Sequence, residues 1–581
     1  MKYLKRKSVL SGRTLNYQDT THGHLVKREY LLLSFVLLFY PPFIVNRIYG
    51  QDYGCGVPSG SGRNTVTRNI FSNQMQLLKH DGTTLYYDTE DISSVNMDHP
   101  DSVIVHLKNG ISDVYQDDVL KISFSKAQEP EFTSIDYDYN IIIGYGQSLA
   151  AGNGFVPEDL PQDEQAKMFF LRYTSTNSSI LTKDLSNVAC KGDSTTTQYC
   201  PPNASATINF AKQYRAYTND DKRVFVHICP AQGSMSIAQL MDFERYKDTD
   251  SNEFYFPNIE TGYKTIRPYY ALKRMLKRIK QIADAEGKTV GVIAINWNQG
   301  EADYGDQSGT FSTTTLKCGC NGNAVEYMNR LKTLHDDIWE DIQSILGQTY
   351  PPVWFVAQCS GLFVQSGFGI NQALIDICDG KEFFPTHSTY PVPNKRDGHP
   401  TGNGYRWYGE YLAKTMADVL LRHQSPNLLY VKNIKATTDA IRIHCSVPCP
   451  PLRIEKDILA EMKNYGFNLF SERNKTIPIK DISIEDEVVI IQPSTPLVSG
   501  SAVKVEYGTH YARGKQITSI HAEGNICDSD PYSAYFTCMD DVTSDVEYVP
   551  LLPNGSGELL QGHTYPLYNF LLPFSMKVTV E

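Results

Sequence analysis

The sequence predicts an α/β fold. A doubly wound parallel sheet is preceded by a small β module and followed by a β-sandwich-like domain. Two observations carry this. Between residues 136 and 424, short apolar runs at 141–143, 224–228, 290–295 and 353–357 alternate with helical stretches at 264–286 and 324–346. Short apolar runs separated by helices are the mark of parallel strands covered on both faces. On either side, at 51–135 and 425–581, the helical period is lost and alternating runs are cut by Gly, Asn, Asp and Pro.

The elements follow in order. Residues 1–29 carry Lys2, Lys5, Arg6, Lys7, Arg13, Lys27 and Arg28, and an apolar run occupies 30–45. That run is shorter than the ~20 residues of a spanning helix, and Pro41-Pro42 interrupts it. Residues 1–50 therefore read as a secretory signal peptide ending near Ile48-Tyr49-Gly50, or as an uncleaved signal-anchor. The protein is expected outside the cytoplasm, and at a membrane only if that segment is retained.

The 51–135 module contains His80-Asp81-Gly82 and Lys108-Asn109-Gly110, each between alternating apolar runs, the strongest short-range hairpin signal. Each is followed by an Asp-led strand, at 91–95 and at 118–122, so the module reads as a weak internal duplication. In the 136–424 region, 402–421 predicts a final helix with Thr401 as N-cap. In 425–581, runs such as 487–492 and 502–507 predict strands of a separate β domain that serves targeting or glycan contact.

Net charge of −11 and a pI near 5.7 argue against a nucleic-acid partner. Twelve cysteines agree with export. Cys190/Cys200, Cys445/Cys449 and Cys527/Cys538 are close enough for local disulfides. Cys318-Gly319-Cys320 lacks a second pair at zinc-like spacing, so no metal and no other cofactor is expected.

Three stretches carry the chemistry. Gly144-Tyr145-Gly146-Gln147-Ser148 puts Ser148 in a glycine-rich turn after the first apolar strand. Trp297-Asn298-Gln299-Gly300-Glu301-Ala302-Asp303 offers an amide and two carboxylates after the third. Asp397-Gly398-His399 offers a base with a nearby acid. A serine hydroxyl needs a base to take its proton, and attack on an ester carbonyl needs donors for the oxyanion. Ser148 is the candidate nucleophile, His399 the base and Asp397 its orienting acid, with Glu301 as the alternative. Gly233, in the loop after the second strand, and Gln299 are the candidate oxyanion donors, with the Ser148 backbone N–H. The loops of Ser148, Gly233 and Gln299 fall at the carboxyl ends of strands, where open α/β sheets bind ligands.

These blocks resemble the sialate O-acetylesterase-like, carbohydrate acetylesterase branch of the SGNH hydrolases. Gly146-Gln147-Ser148, Gln299-Gly300-Glu301 and the Asp397/His399 pair match its blocks, and Gly233 matches its oxyanion glycine more loosely. The resemblance covers residues 136–424 and implies a flavodoxin-like sheet. Two positions depart from it. Asp397 stands two residues before His399 rather than three, where Arg396 is found, and Leu149 stands where the family often has Asn. The expectation is an exported serine esterase that removes acetyl or similar small acyl groups from a glycan through an acyl-enzyme. The alternatives are a lipase- or peptidase-like hydrolase of the same group, and a glycan-binding or adhesion protein with an inactive core.

Overall fold

The computed structural model describes most of residues 74–125, and 135–152, 202–242, 268–304, 319–359, 367–395, 398–509, 523–539 and 550–581. It also describes Phe132, Arg245 and short stretches between 165 and 187. The leader segment 1–50, Cys190, Cys200 and Asp397 lie outside these residues. No helix of the described residues is long and apolar enough to cross a membrane.

The N-terminal module holds β1 (Gln74–Lys79), β2 (Thr84–Asp88), β3 (Ile92–Asn96), β4 (Ser102–Leu107), β5 (Ser112–Gln116) and β6 (Val119–Ser125). Both turn signals sit between antiparallel partners, β1 with β2 and β4 with β5. The third strand of each half is exchanged. β6 pairs with β1, and β3 pairs with β4, giving sheets in the order β2-β1-β6 and β3-β4-β5. Met75, Leu77, Tyr87, Val105, Leu107 and Tyr115 fill the space between them.

The central sheet comprises β7 (Tyr139–Gly146), β8 (Ala166–Phe169), β11 (Ser186–Asn187), β12 (Val224–Ile228), β13 (Val290–Asn298), β14 (Val353–Val356) and β15 (Phe383–Pro385). Two short strands, β9 (Leu171–Tyr173) and β10 (Ser179–Leu181), pair only with each other. The strand order is β11-β8-β12-β7-β13-β14-β15. Only β11 runs antiparallel to its neighbour.

The helices are α1 (Ser148–Ala151), α2 (Pro202–Thr218), α3 (Ile237–Leu240), α4 (Pro268–Ala285), α5 (Ala324–Leu346), α6 (Gly369–Asp376) and α7 (Gly402–Leu420). Alternation along β7 assigns the two faces. Ile141, Ile143 and Tyr145 pack with Leu272 and Met275 of α4 and Leu331 of α5. Ile142 packs in the opposite layer with Phe210 of α2 and Trp407 and Tyr411 of α7. The result is a mixed α/β layer with helices on both faces, as the run pattern predicts.

Every residue of α7 is buried, including Arg406, Glu410, Lys414 and Asp418. A helix covered all round needs partners on every side. The C-terminal region supplies them through β16 (Tyr430–Ala436), β17 (Ile441–Ser446), β18 (Arg453–Ile454), β19 (Phe467–Ser471), β20 (Ile479–Glu485), β21 (Val488–Pro493), β22 (Ala502–Tyr507), β23 (Ile526–Cys527), β24 (Ser533–Thr537), β25 (Thr564–Pro566) and β26 (Phe574–Thr579). Its larger sheets run β16-β17-β21-β20 and β19-β22-β26.

Polar ties are dense. Lys414 Nζ reaches Asp530 at 2.7 Å and Asn569 Oδ1 at 2.8 Å. Glu410 accepts from the Tyr535 and Phe536 N–H groups at 2.9 and 2.8 Å. Burial raises its carboxyl to about 8. Burial, with the Lys414 ammonium beside it, lowers His387 to about 3, so the ring stays neutral against Asn569 Oδ1 at 2.8 Å. Trp407 stacks on Tyr565 with ring centroids 4.7 Å apart.

The core does not stop at the boundary near 424. Ile142, Phe355, Tyr411, Leu469, Val505 and Phe570 belong to one continuous apolar cluster. The C-terminal β region is thus joined to the helical layer rather than set apart from it. The expected local pairs Cys445/Cys449 and Cys527/Cys538 do not form, because Cys445 and Cys527 keep their thiols; all of Cys445, Cys527 and Cys538 lie in the core. All three are buried, and they pack as small hydrophobes in that cluster.

Candidate active site

β7 leads to β12 on one side of the sheet and β13 on the other, so the chain order reverses at β7. The crevice at such a reversal is where open α/β sheets bind ligands. The loops carrying Ser148, Gly233 and Gln299 follow β7, β12 and β13 and meet there.

The turn into α1 is possible only with glycine at 146. Its φ is +141°, and a Cβ would stand 2.1 Å from the Asn298 carbonyl oxygen. This contact brings the β7 end against the β13 end, and Gln147 N–H donates to Asn298 O at 3.1 Å. Gly233 lies over the serine, since a Cβ there would sit 3.5 Å from Ser148 Cβ.

His399 arrives from a tight loop that closes on itself before α7. Lys395 N–H donates to His399 O at 2.7 Å, and Thr401 N–H donates to Pro393 O at 2.8 Å. Thr401 Oγ1 then caps the helix by accepting from Gly404 N–H, as the sequence predicts. The half-buried imidazole places Nε2 2.9 Å from Ser148 Oγ. With the ring proton on Nδ1, the serine hydroxyl donates to Nε2, the geometry a general base requires. Residues 251 apart in sequence are joined by this bond.

Gln299 is fully engaged inside the protein. Its Nε2 donates to Asp303 Oδ2 at 2.6 Å and to the Met235 carbonyl at 3.1 Å, with Gln147 Oε1 at 3.4 Å. The Tyr327 hydroxyl lies 2.8 Å from its Oε1. The direct oxyanion bond expected of Gln299 therefore has no spare N–H in this arrangement. Among the described residues, the Ser148 and Gly233 backbone N–H groups carry no hydrogen bond.

Glu301 is buried against Cys359 and Asp303, and no hydrogen bond joins it to His399. Burial raises its carboxyl to about 7. Asp397 lies outside the described residues. The sequence assigns no role to Gln147 or Asp303, although both stand in the chemistry-bearing stretches. Gln147 Oε1 accepts from Ala302 N–H at 3.1 Å, tying the serine loop to the Gln299 loop. No group of three His, Cys, Asp or Glu among the described residues is arranged to hold a metal.

Replacing Glu301 by Gln tests its protonation. A carboxyl raised from about 4.5 in the unfolded chain to about 7 in the folded one binds its proton more tightly when folded. Its contribution is complete below the unfolded value and is lost as pH rises through about 7. Over that window the wild type forfeits on the order of 3 kcal/mol that Glu301→Gln keeps. Denaturant unfolding should show the variant more stable than wild type at pH 8, with the gap closing by pH 4.5. An equal gap at both pH values would mean the carboxyl does not titrate as described.

No family model matches the sequence, and no curated protein matches it. Among solved structures, a carbohydrate acetylesterase from Xanthomonas citri is similar over 78% of this chain and 90% of its own. Identity is 14% and the TM-score 0.38. The N-terminal part of the bacterial S-layer protein SbsC is similar over 47% of this chain and 71% of its own, at 12% identity and a TM-score of 0.12. At these levels neither likeness carries an argument about what this chain does.

Proposed function

We propose that the protein is a serine esterase of the SGNH type that removes acetyl or similar small acyl groups from a carbohydrate. The observation that carries this is the 2.9 Å contact of His399 Nε2 with Ser148 Oγ, beneath Gly233 at the chain reversal of the sheet. If β11 and β8, the latter parallel to β12, are set aside as additions at one edge, the remaining strands run second, first, third, fourth, fifth, which supports a flavodoxin-like reading.

In this reading His399 Nε2 takes the hydroxyl proton as Ser148 Oγ attacks the acyl carbon. The carbonyl oxygen becomes an oxyanion facing the Ser148 and Gly233 N–H groups. Collapse of the adduct expels the sugar oxygen, which takes the proton from His399 and leaves acyl-Ser148. Water then attacks with His399 again as base, and acetate and free Ser148 result. Gln299 holds the loops rather than the oxyanion.

We assign Asp397 to orient His399, because neither carboxyl oxygen of Glu301 makes a hydrogen bond, to His399 or to any other described residue. A carboxylate that fixes the imidazole tautomer is worth about 10⁴ in turnover. Asp397→Asn should therefore fall far more than Glu301→Gln. A collapse in Glu301→Gln with Asp397→Asn near native would transfer the role to Glu301.

Acetate release by the purified protein from acetylated sialic acids, acetylated xylan and acetylated bacterial polysaccharide tests the reading as a whole. Release from one of these is expected. Hydrolysis of peptides or long-chain lipids alone would replace the carbohydrate reading.

A further inference from the structure

Asp303 has no part in the steps above, yet three segments of the site converge on it. It is fully buried at the end of the 3-10 turn Glu301–Tyr304. Oδ2 accepts from Gln299 Nε2 at 2.6 Å and from Ile237 N–H at 2.9 Å. Oδ1 accepts from Cys320 N–H at 3.1 Å. Gln299 passes the connection on to the Met235 carbonyl and to Gln147 Oε1. The segment 235–237 is two to four residues beyond Gly233, and Gln147 precedes Ser148. One carboxylate thus links the segments that bear both backbone donors of the oxyanion site.

We propose that Asp303 is a positioning residue that sets the oxyanion site, by tying the glycine loop and the serine turn to a common acceptor. The inference rests on Ser148 being the nucleophile. Its chemistry is that of an acceptor-only group. A carboxylate accepts from three donors without offering a hydrogen of its own. An amide of the same shape must turn its N–H₂ toward one of those donors and push it away. The consequence is specific to the transition state, because the backbone N–H groups are needed most when the oxyanion forms. A shift of the loop by a fraction of an ångström would leave substrate binding much as it was.

Two variants test this. Asp303→Asn keeps shape and volume. Ile237→Pro deletes the N–H that Asp303 accepts, at the first position of α3 (Ile237–Leu240), where proline is tolerated, and replaces a buried side chain, so its melting temperature is read beside its kcat. Loss of one oxyanion donor costs about 100-fold or more in turnover. Asp303→Asn is expected to approach that loss in kcat with KM within about twofold, and Ile237→Pro to show a smaller fall of the same kind. The rate of Ser148 labelling by a fluorophosphonate should fall with kcat. Affinity for an alkylboronic acid, whose adduct on Ser148 puts an oxygen in the oxyanion position, should fall by the same factor. The shape of the pH–rate profile should stay as in the wild type.

A lower melting temperature with kcat, labelling and boronate affinity unchanged would make Asp303 structural only and overturn the proposal. If Asp303→Asn fails to fold, Ile237→Pro decides alone, and unchanged labelling there overturns it. Wild-type protein that labels at Ser148 but releases no acetate would refute the acetyl-carbohydrate reading, while the labelling ratios still judge Asp303. No labelling of Ser148 in wild type overturns both.

Discussion

Ser148→Ala should abolish ester hydrolysis, with turnover falling on the order of 10⁵-fold or more while the fold is kept. The hydroxyl is a small uncharged group, and its hydrogen-bond partner His399 is only half-buried. Removing it strands no buried charge and opens no large cavity, so the melting temperature should move by no more than a few degrees. An organophosphonate should label Ser148 in the wild type and nothing in the variant. Acetate release and mass spectrometry of the labelled peptide read both outcomes. Full activity in the variant, or label on another residue, would remove Ser148 from the centre of the reaction.

The second large effect is on folding. A chain that ends near residue 424 should not fold. Lys414 would lose Asp530 and Asn569, Glu410 would lose its two backbone donors, and the Trp407 ring would lose Tyr565. Removing one partner of a buried ion pair alone costs about 3–5 kcal/mol. A domain has only about 5–15 kcal/mol in all, so these losses with the exposed apolar face exceed what it holds. Expression of residues 51–424 should give aggregated or dye-binding protein without a cooperative melt. A soluble product with a sharp transition and ester activity would show that the helical layer stands alone.

Much of the central layer was legible because its strands obey one rule. Runs at 224–228 and 502–507 match β12 and β22, and 324–346 matches α5, since burial on both faces or one stripe leaves a period in the sequence. The hairpins of the first module were legible from Asp-Gly and Asn-Gly. Their exchanged third strands were not, because pairing between halves depends on which edges meet, not on local pattern. Ser148 and His399 were singled out from the chemistry each residue type can do, and the fold sets them 2.9 Å apart.

The inward hydrogen bonds of Gln299 were not legible for a reason of the same kind. An amide in a site block can donate outward or be spent inward, and only the positions of Asp303, Met235 and Tyr327 decide between these. The local disulfides were proposed from spacing alone. Three of those cysteines instead face a core that closes over them from distant strands.

α7 begins three residues after His399, with Thr401 as its cap, and its other sides are held by described residues of the C-terminal region such as Asp530, Tyr535 and Tyr565. Inheritance follows from this. The helix and the β region that wraps it form one unit of exchange, running from about 400 to the end. A recombination event at 424 would separate His399 from the scaffold that fixes its bearing. A break just before Pro393 would carry both across together. Lineages derived from this architecture should therefore vary their leading β module freely, yet retain the trailing one wherever the histidine is kept.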